Sequence, residues 1–207
     1  VGGVDKLFGD SSATLQSYAD MAFRTAGISA NTYMETATSF AASLVTSLEG
    51  DTAAAVEYAD MAMRDMADNA NVFGTSIESI QNAYMGFAKG NYSMLDNLKL
   101  GFGGSQAEML RLLETAKELE PTFDAVFGLN IKGSLEAEFS DIVEAINIVQ
   151  ESMGIMGATA AEASGTISGS VGSMKAAWDN FLVGLGDQDA DNNDYDRDHP
   201  EEAVRPL

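Results

Sequence analysis

The chain has no cysteine. That excludes disulfides, thiolate nucleophiles and cysteine-ligated zinc together, and it suits a reducing compartment. Histidine is nearly absent as well: His199, beside Pro200, is the single one. A catalytic imidazole needs an orienting partner in a dry site, and the acidic stretch around His199 offers neither. Only three prolines occur, Pro121, Pro200 and Pro206, so the first 120 residues carry no helix breaker of that kind. Basic residues are scarce: 11 Lys and Arg stand against 32 Asp and Glu, a formal charge of −21. Nucleic acid and anionic membrane surfaces need Lys and Arg, so this balance argues against both. No run approaches the roughly 18 uninterrupted apolar residues of a membrane span. Val1–Asp10 lacks the charged start and apolar run of a secretory signal. A first residue of Val rather than Met is expected of a piece excised from a longer protein.

What is present points to helices. Apolar residues make up 45% of the chain, led by alanine, leucine and 11 methionines, whose side chains lose little freedom in a helix. Ser11 and Ser12 can cap a helix reaching about Thr25, which Gly27 stops. From Ser29 a second helix follows, with Tyr33, Ala37, Phe40, Leu44 and Leu48 at spacings of three and four, up to Gly50. Asp51 caps a third helix to about Asn69. Thr75-Ser-Ile-Glu78 and Ser105-Gln-Ala-Glu108 both have the form of a capping box. The first opens a helix to Gly90, and the second opens one to Glu120, stopped by Pro121. A short helix is predicted over Tyr92–Leu98 and a small extended piece over Val126–Ile131. Further helices are predicted over Ser140–Met153, with Ile142, Ala145, Ile146 and Val149 on one face, over Ala158–Ala163, and around Val171–Leu182. The fold class is all-α: a multi-helix bundle of helical hairpins, with residues 1–10 as a lead-in, the helical region over 11–186 and an acidic tail over 187–207.

One heptapeptide echoes itself. Tyr18-Ala-Asp-Met-Ala-Phe-Arg24 returns as Tyr58-Ala-Asp-Met-Ala-Met-Arg64, six identities in seven at an offset of 40. Ala30-Asn31 matches Ala70-Asn71 and Gly50 matches Gly90 at the same offset. Either the hairpins 11–50 and 51–90 are duplicates, or helices of similar composition coincide.

The search for chemistry returns no catalytic, cofactor-binding or metal-binding residue. Lys89, Lys99, Lys117, Lys132 and Lys175 are scattered without a Ser-x-x-Lys motif, and no carboxylate pair stands out as acid and base. Gly101-Phe-Gly-Gly104 lacks the Gly-Lys-Ser/Thr ending and the preceding strand of a phosphate loop, so it reads as a flexible connector. Asp187-x-Asp189-x-Asp191 with Tyr195 and Asp198 has calcium-loop spacing. Yet Asn192 stands where glycine is needed and Asp198 where a bidentate Glu is needed. The tail from Asp187 to Leu207 holds eight acidic residues and two arginines, and is expected to be disordered. Its net −6 leaves −15 for residues 1–186. Such charge serves solubility, or complements a basic surface such as a positively charged lumen. Phe40, Phe73, Tyr84, Phe87, Phe102 and Trp178 read as core rather than as a binding stripe.

Three stretches carry a resemblance. They are Gly27-Ile-Ser-Ala-Asn-Thr-Tyr-Met-Glu-Thr36, Met66-Ala-Asp-Asn-Ala-Asn71, and the long run Gly74-Thr-Ser-Ile-Glu-Ser-Ile-Gln-Asn-Ala-Tyr-Met-Gly-Phe-Ala-Lys-Gly-Asn-Tyr-Ser-Met-Leu-Asp-Asn-Leu-Lys-Leu-Gly-Phe-Gly-Gly104. Together with Gly165–Leu185, they resemble a region of the tape measure proteins of long-tailed phages and prophages of Gram-positive bacteria. The similarity spans about residues 15–191, and the run ending at Gly104 is its most specific part. Glu120–Ser134 is longer than the family pattern, and Asn192–Leu207 lies outside it. The resemblance implies a non-enzymatic structural and assembly role in a virion tail put together in the host cytoplasm. It also implies the tail tube protein, tail-initiation or distal-tail proteins and tail assembly chaperones as partners, with no cofactor. The alternative is a helical binding module that docks initiation or chaperone proteins. One continuous helix of this length would span about 300 Å at ~1.5 Å per residue, but glycines and caps divide it into hairpins only tens of ångströms long.

Overall fold

The computed structural model describes residues 2–165, and the helix expected around Val171–Leu182 and the acidic tail 187–207 lie outside them. The described part is all-α, with α1 (Gly2–Phe8), α2 (Ser12–Thr25), α3 (Ala30–Ser47), α4 (Thr52–Phe73), α5 (Ile77–Phe87), α6 (Gln106–Leu119), α7 (Phe139–Ser152) and α8 (Ala158–Gly165). Between α6 and α7 sits a short antiparallel ribbon, β1 (Gly128–Leu129) with β2 (Leu135–Glu136). Strand β1 lies within the predicted extended piece, and β2 lies beyond it.

Helix α4 is the axle of the bundle. It packs against α1, α2, α3, α5, α7 and α8, while α6 lies on the far side of α7. At 22 residues it is the longest element among the described residues, about 33 Å at ~1.5 Å per residue. The predicted faces hold: Tyr33, Ala37, Phe40 and Leu44 of α3 are buried, as are Ile142, Ala145, Ile146 and Val149 of α7. An edge-to-face pair of Phe40 and Phe139, 6.0 Å between ring centres, joins the two helices.

Residues 1–10, read from sequence as a lead-in, contain helix α1, and Val4 and Phe8 are part of the core. Ser11 is not a cap. It lies in helical backbone inside a 3-10 turn (Gly9–Ser11) joining α1 to α2, and its hydroxyl meets Thr52 Oγ1 at 3.1 Å. Ser29 and Asp51 do cap, accepting from Thr32 N at 3.1 Å and Ala54 N at 3.0 Å. The first capping box is displaced by one residue: Ser76, not Thr75, caps α5 by accepting from Ser79 N at 3.2 Å. The second is half a box. Ser105 accepts from Glu108 N at 3.3 Å, but the Glu108 carboxylate reaches past the cap to Gly103 N at 2.9 Å. The short helix expected over Tyr92–Leu98 is reduced to a 3-10 turn, Leu95–Leu98.

The glycine stretch 101–104 departs from the flexible connector expected of it. The Arg111 guanidinium donates to Gly101 O at 2.8 Å and stacks over the Phe102 ring at 4.3 Å. Gly104 lies against the Ser93 backbone, where an added Cβ would come 2.2 Å from its carbonyl oxygen. Gly104→Ala therefore forces two backbones apart, and we expect a loss of the order of 3 kcal/mol in a urea melt. Gly103→Ala meets only the Glu108 side chain at 3.4 Å and is expected to cost far less. Equal stability of the two variants would contradict this account.

Candidate functional site

Glu57, Arg64 and Asn71 leave one side of α4 exposed, but a helix that meets six others must bury much of what it carries. On α4 that includes Asp60, Asp65, Asp68 and Asn69, all buried polar residues. Each is handled differently. Asp60 accepts from the Tyr33 hydroxyl at 2.8 Å and pairs with Arg64 Nε at 3.0 Å. Burial and the adjoining Asp60 carboxylate push the Tyr33 phenol well above its ordinary range. Asp68 accepts from Gly157 N at 2.7 Å and Thr159 N at 2.8 Å, so one carboxylate serves both donors at the start of α8. Asn71 extends that tie, donating to Glu162 at 2.7 Å.

The remaining groups form a polar seam between α4 and α7. The Tyr58 hydroxyl donates to Glu144 at 2.7 Å. About two turns along α4, Asn147 Nδ2 donates to Asp65 Oδ1 at 2.9 Å, and about three turns along, Asn69 Nδ2 donates to Gln150 Oε1 at 2.6 Å. Gln150 Nε2 returns to the Asp65 carbonyl at 3.3 Å, and Asn69 also reaches Leu98 O at 2.9 Å. Such a ladder fixes the register of two helices, because a one-turn slip would strand every rung.

Asp65 is the unusual member. Its side chain is wholly buried, and Oδ2 meets no donor. Burial, and then the neighbouring Asp68, push its carboxyl up to about 8 against the relief of the Asn147 hydrogen bond. Near neutral pH the group is mostly protonated. Asn69 Oδ1 and the Tyr84 hydroxyl are likewise buried without a partner. The Tyr84 phenol is raised well above its ordinary value by burial and by Asp65. A cleft of about 270 Å³ borders the seam, lined by Met61, Arg64, Asp65, Asn147, Glu151 and Met156. A larger recess of about 680 Å³ lies between α3, α5 and the start of α7, and none of these unpartnered atoms lines it.

A displaced carboxyl beside a cleft is a known mark of acid–base sites. Here, however, Oδ2 is shielded from solvent, and among the described residues no three acids or histidines gather as a metal site. The arrangement binds helices to one another. Of the residues singled out from sequence, Phe40, Tyr84, Phe87 and Phe102 are buried core and Phe73 packs partly buried against it. Lys89, Lys99, Lys117 and Lys132 are exposed and lie on separate elements, and Lys117 donates to the Phe123 carbonyl. His199, Lys175, Trp178 and the Asp187, Asp189, Asp191, Tyr195 and Asp198 set lie outside the described residues. The α4 acids escaped the sequence reading altogether. Their one signal was Asp65-x-x-Asp68-Asn69 inside an otherwise alanine- and methionine-rich helix. No protein-family model matches the chain, and neither the curated proteins nor the solved structures contain a match to it.

Proposed function

We propose that this chain is a non-catalytic structural and assembly element of a phage tail, a folded region of a tape measure protein. The observation that carries the proposal is the resemblance over Gly74–Gly104. The architecture supports a module rather than a ruler: among the described residues the longest helix is about 33 Å, and the helices fold back on one another instead of forming a rod. The buried seam supports a structural role, since its polar groups are spent on holding α4, α7 and α8 in place. Partners would be the tube protein, the distal-tail or initiation proteins and the assembly chaperones. The gene neighbourhood tests this directly. Tube and distal-tail genes beside the coding sequence are expected, and a neighbourhood of unrelated metabolic genes would end the proposal.

A further inference from the structure

Between α6 and α7 the chain alternates with a period of two, as a half-buried ribbon must. On one face Phe123, Ala125 and Phe127, then Leu135, Ala137 and Phe139, turn towards the core. The other face holds Asp124, Val126, Glu136 and Glu138, all exposed. Val126 is 87% exposed, and at the tip Leu129 is 55% and Ile131 103% exposed. Three large aliphatic side chains within six residues are thus presented to water, where each forgoes the free energy of burial.

The ribbon is also held in place. Asn130 Oδ1 accepts from Lys132 N at 2.9 Å and Ser134 N at 3.0 Å, closing the turn. Gln106 at the start of α6 donates to Gly133 O at 2.7 Å and anchors the tip to the bundle. Little ordering entropy remains to be lost when something covers it. The surroundings define what can cover it. Within residues 118–144 seven acids accompany a single base, Lys132. The crowding is felt at Asp141, whose carboxyl is pushed up to about 6 by burial and then by Glu138 and Glu144. A second copy of so acidic a surface would be repelled, and so would an anionic bilayer.

We propose that the β1–β2 ribbon is a docking element whose aliphatic tip, Leu129 and Ile131, enters an apolar recess ringed by Lys and Arg on a partner protein. The inference stands on the exposed ribbon and its charge, and does not need the tail assignment. To test it, Ile131 is replaced by the photocrosslinker benzoylphenylalanine in the full chain, which is co-expressed with the genes flanking its own. Crosslinked peptides are then mapped by mass spectrometry. The expected product joins position 131 to one other protein, at a site rich in Lys and Arg, with a yield that falls as salt rises. Leu129→Asp or the pair Asp124→Lys and Glu138→Lys should each cut the yield about tenfold or more. Since these side chains are exposed, the melting temperature should not move, which separates lost docking from lost folding. Crosslinks confined to a second copy, to lipid or to an acidic surface would overturn the proposal. So would no crosslink above the unirradiated control, or yields unchanged in the charged variants. If the flanking genes are not tail genes, the tail assignment fails while the crosslink still judges the ribbon.

Discussion

Deletion of residues 51–90 is expected to abolish the folded state and, under the proposed tail function, to abolish tail initiation with it rather than to shorten tails. The deletion removes the whole of α4 and α5. It takes Val56, Met63, Met66, Ile80, Tyr84 and Phe87 from the core, each fully buried or nearly so. At about 1.5–3 kcal/mol per large apolar side chain, these six alone match the total stability of an ordinary domain, about 5–15 kcal/mol. The deletion also bares the faces of α1, α2, α3, α7 and α8 that α4 covers, and leaves α8 without its Asp68 cap. A ruler behaves otherwise: 40 residues of continuous helix would subtract about 60 Å from every tail at ~1.5 Å per residue. Circular dichroism of the purified variant and electron microscopy of lysates decide. Sparse or absent tails from an unfolded variant are expected, whereas abundant tails uniformly about 60 Å shorter would refute the module assignment.

Asp65→Asn is expected to stabilise the protein at pH 8 and to leave it nearly unchanged at pH 4. The folded protein holds the Asp65 proton up to about pH 8, while an unfolded chain releases it near 3.8. The folded state therefore binds the extra proton across that window. Stability falls as pH rises from about 4 to about 8, at up to about 1.4 kcal/mol per pH unit from this group. Asn keeps the oxygen that accepts from Asn147 and has no charge to desolvate, so the slope should flatten in the variant. The gain at pH 8 should be several kcal/mol, reduced to the extent that Arg64, paired with Asp60 on the same helix, screens the carboxylate. Urea titrations at the two pH values check this. A variant less stable than the parent at pH 8 would mean that the charged carboxylate has a partner it needs.

Much of the architecture was legible in the residues, for local reasons. Ser29, Asp51 and Ser105 cap helices because a short side-chain oxygen reaches the orphan N–H groups three residues on, whatever the rest of the chain does. The apolar spacings of α3 and α7 likewise declared their buried faces, because 3.6 residues per turn is a property of the helix alone. The repeat marks where that legibility ends. Gly27 permits the turn out of α2, but the residue 40 positions on is Ala67, so α4 runs on to Gly74, whose φ of +65° ends it. Ser29 caps a helix, while its counterpart Asn69 sits in mid-helix and bonds to Leu98 and Gln150.

The same Tyr-Ala-Asp-Met-Ala segment then meets two fates. Asp20, on α2, is exposed, whereas Asp60, on α4, is buried against Tyr33. Composition and periodicity determined that this protein is helical, where most helices begin, and which stripe of each is apolar. Only the tertiary structure decided that six helices would converge on α4, turning surface-looking acids into a buried seam and leaving Val126, Leu129 and Ile131 in water. The physical reason is that caps and periodicity act within a few residues, while burial depends on how many neighbours converge on a helix from distant parts of the chain.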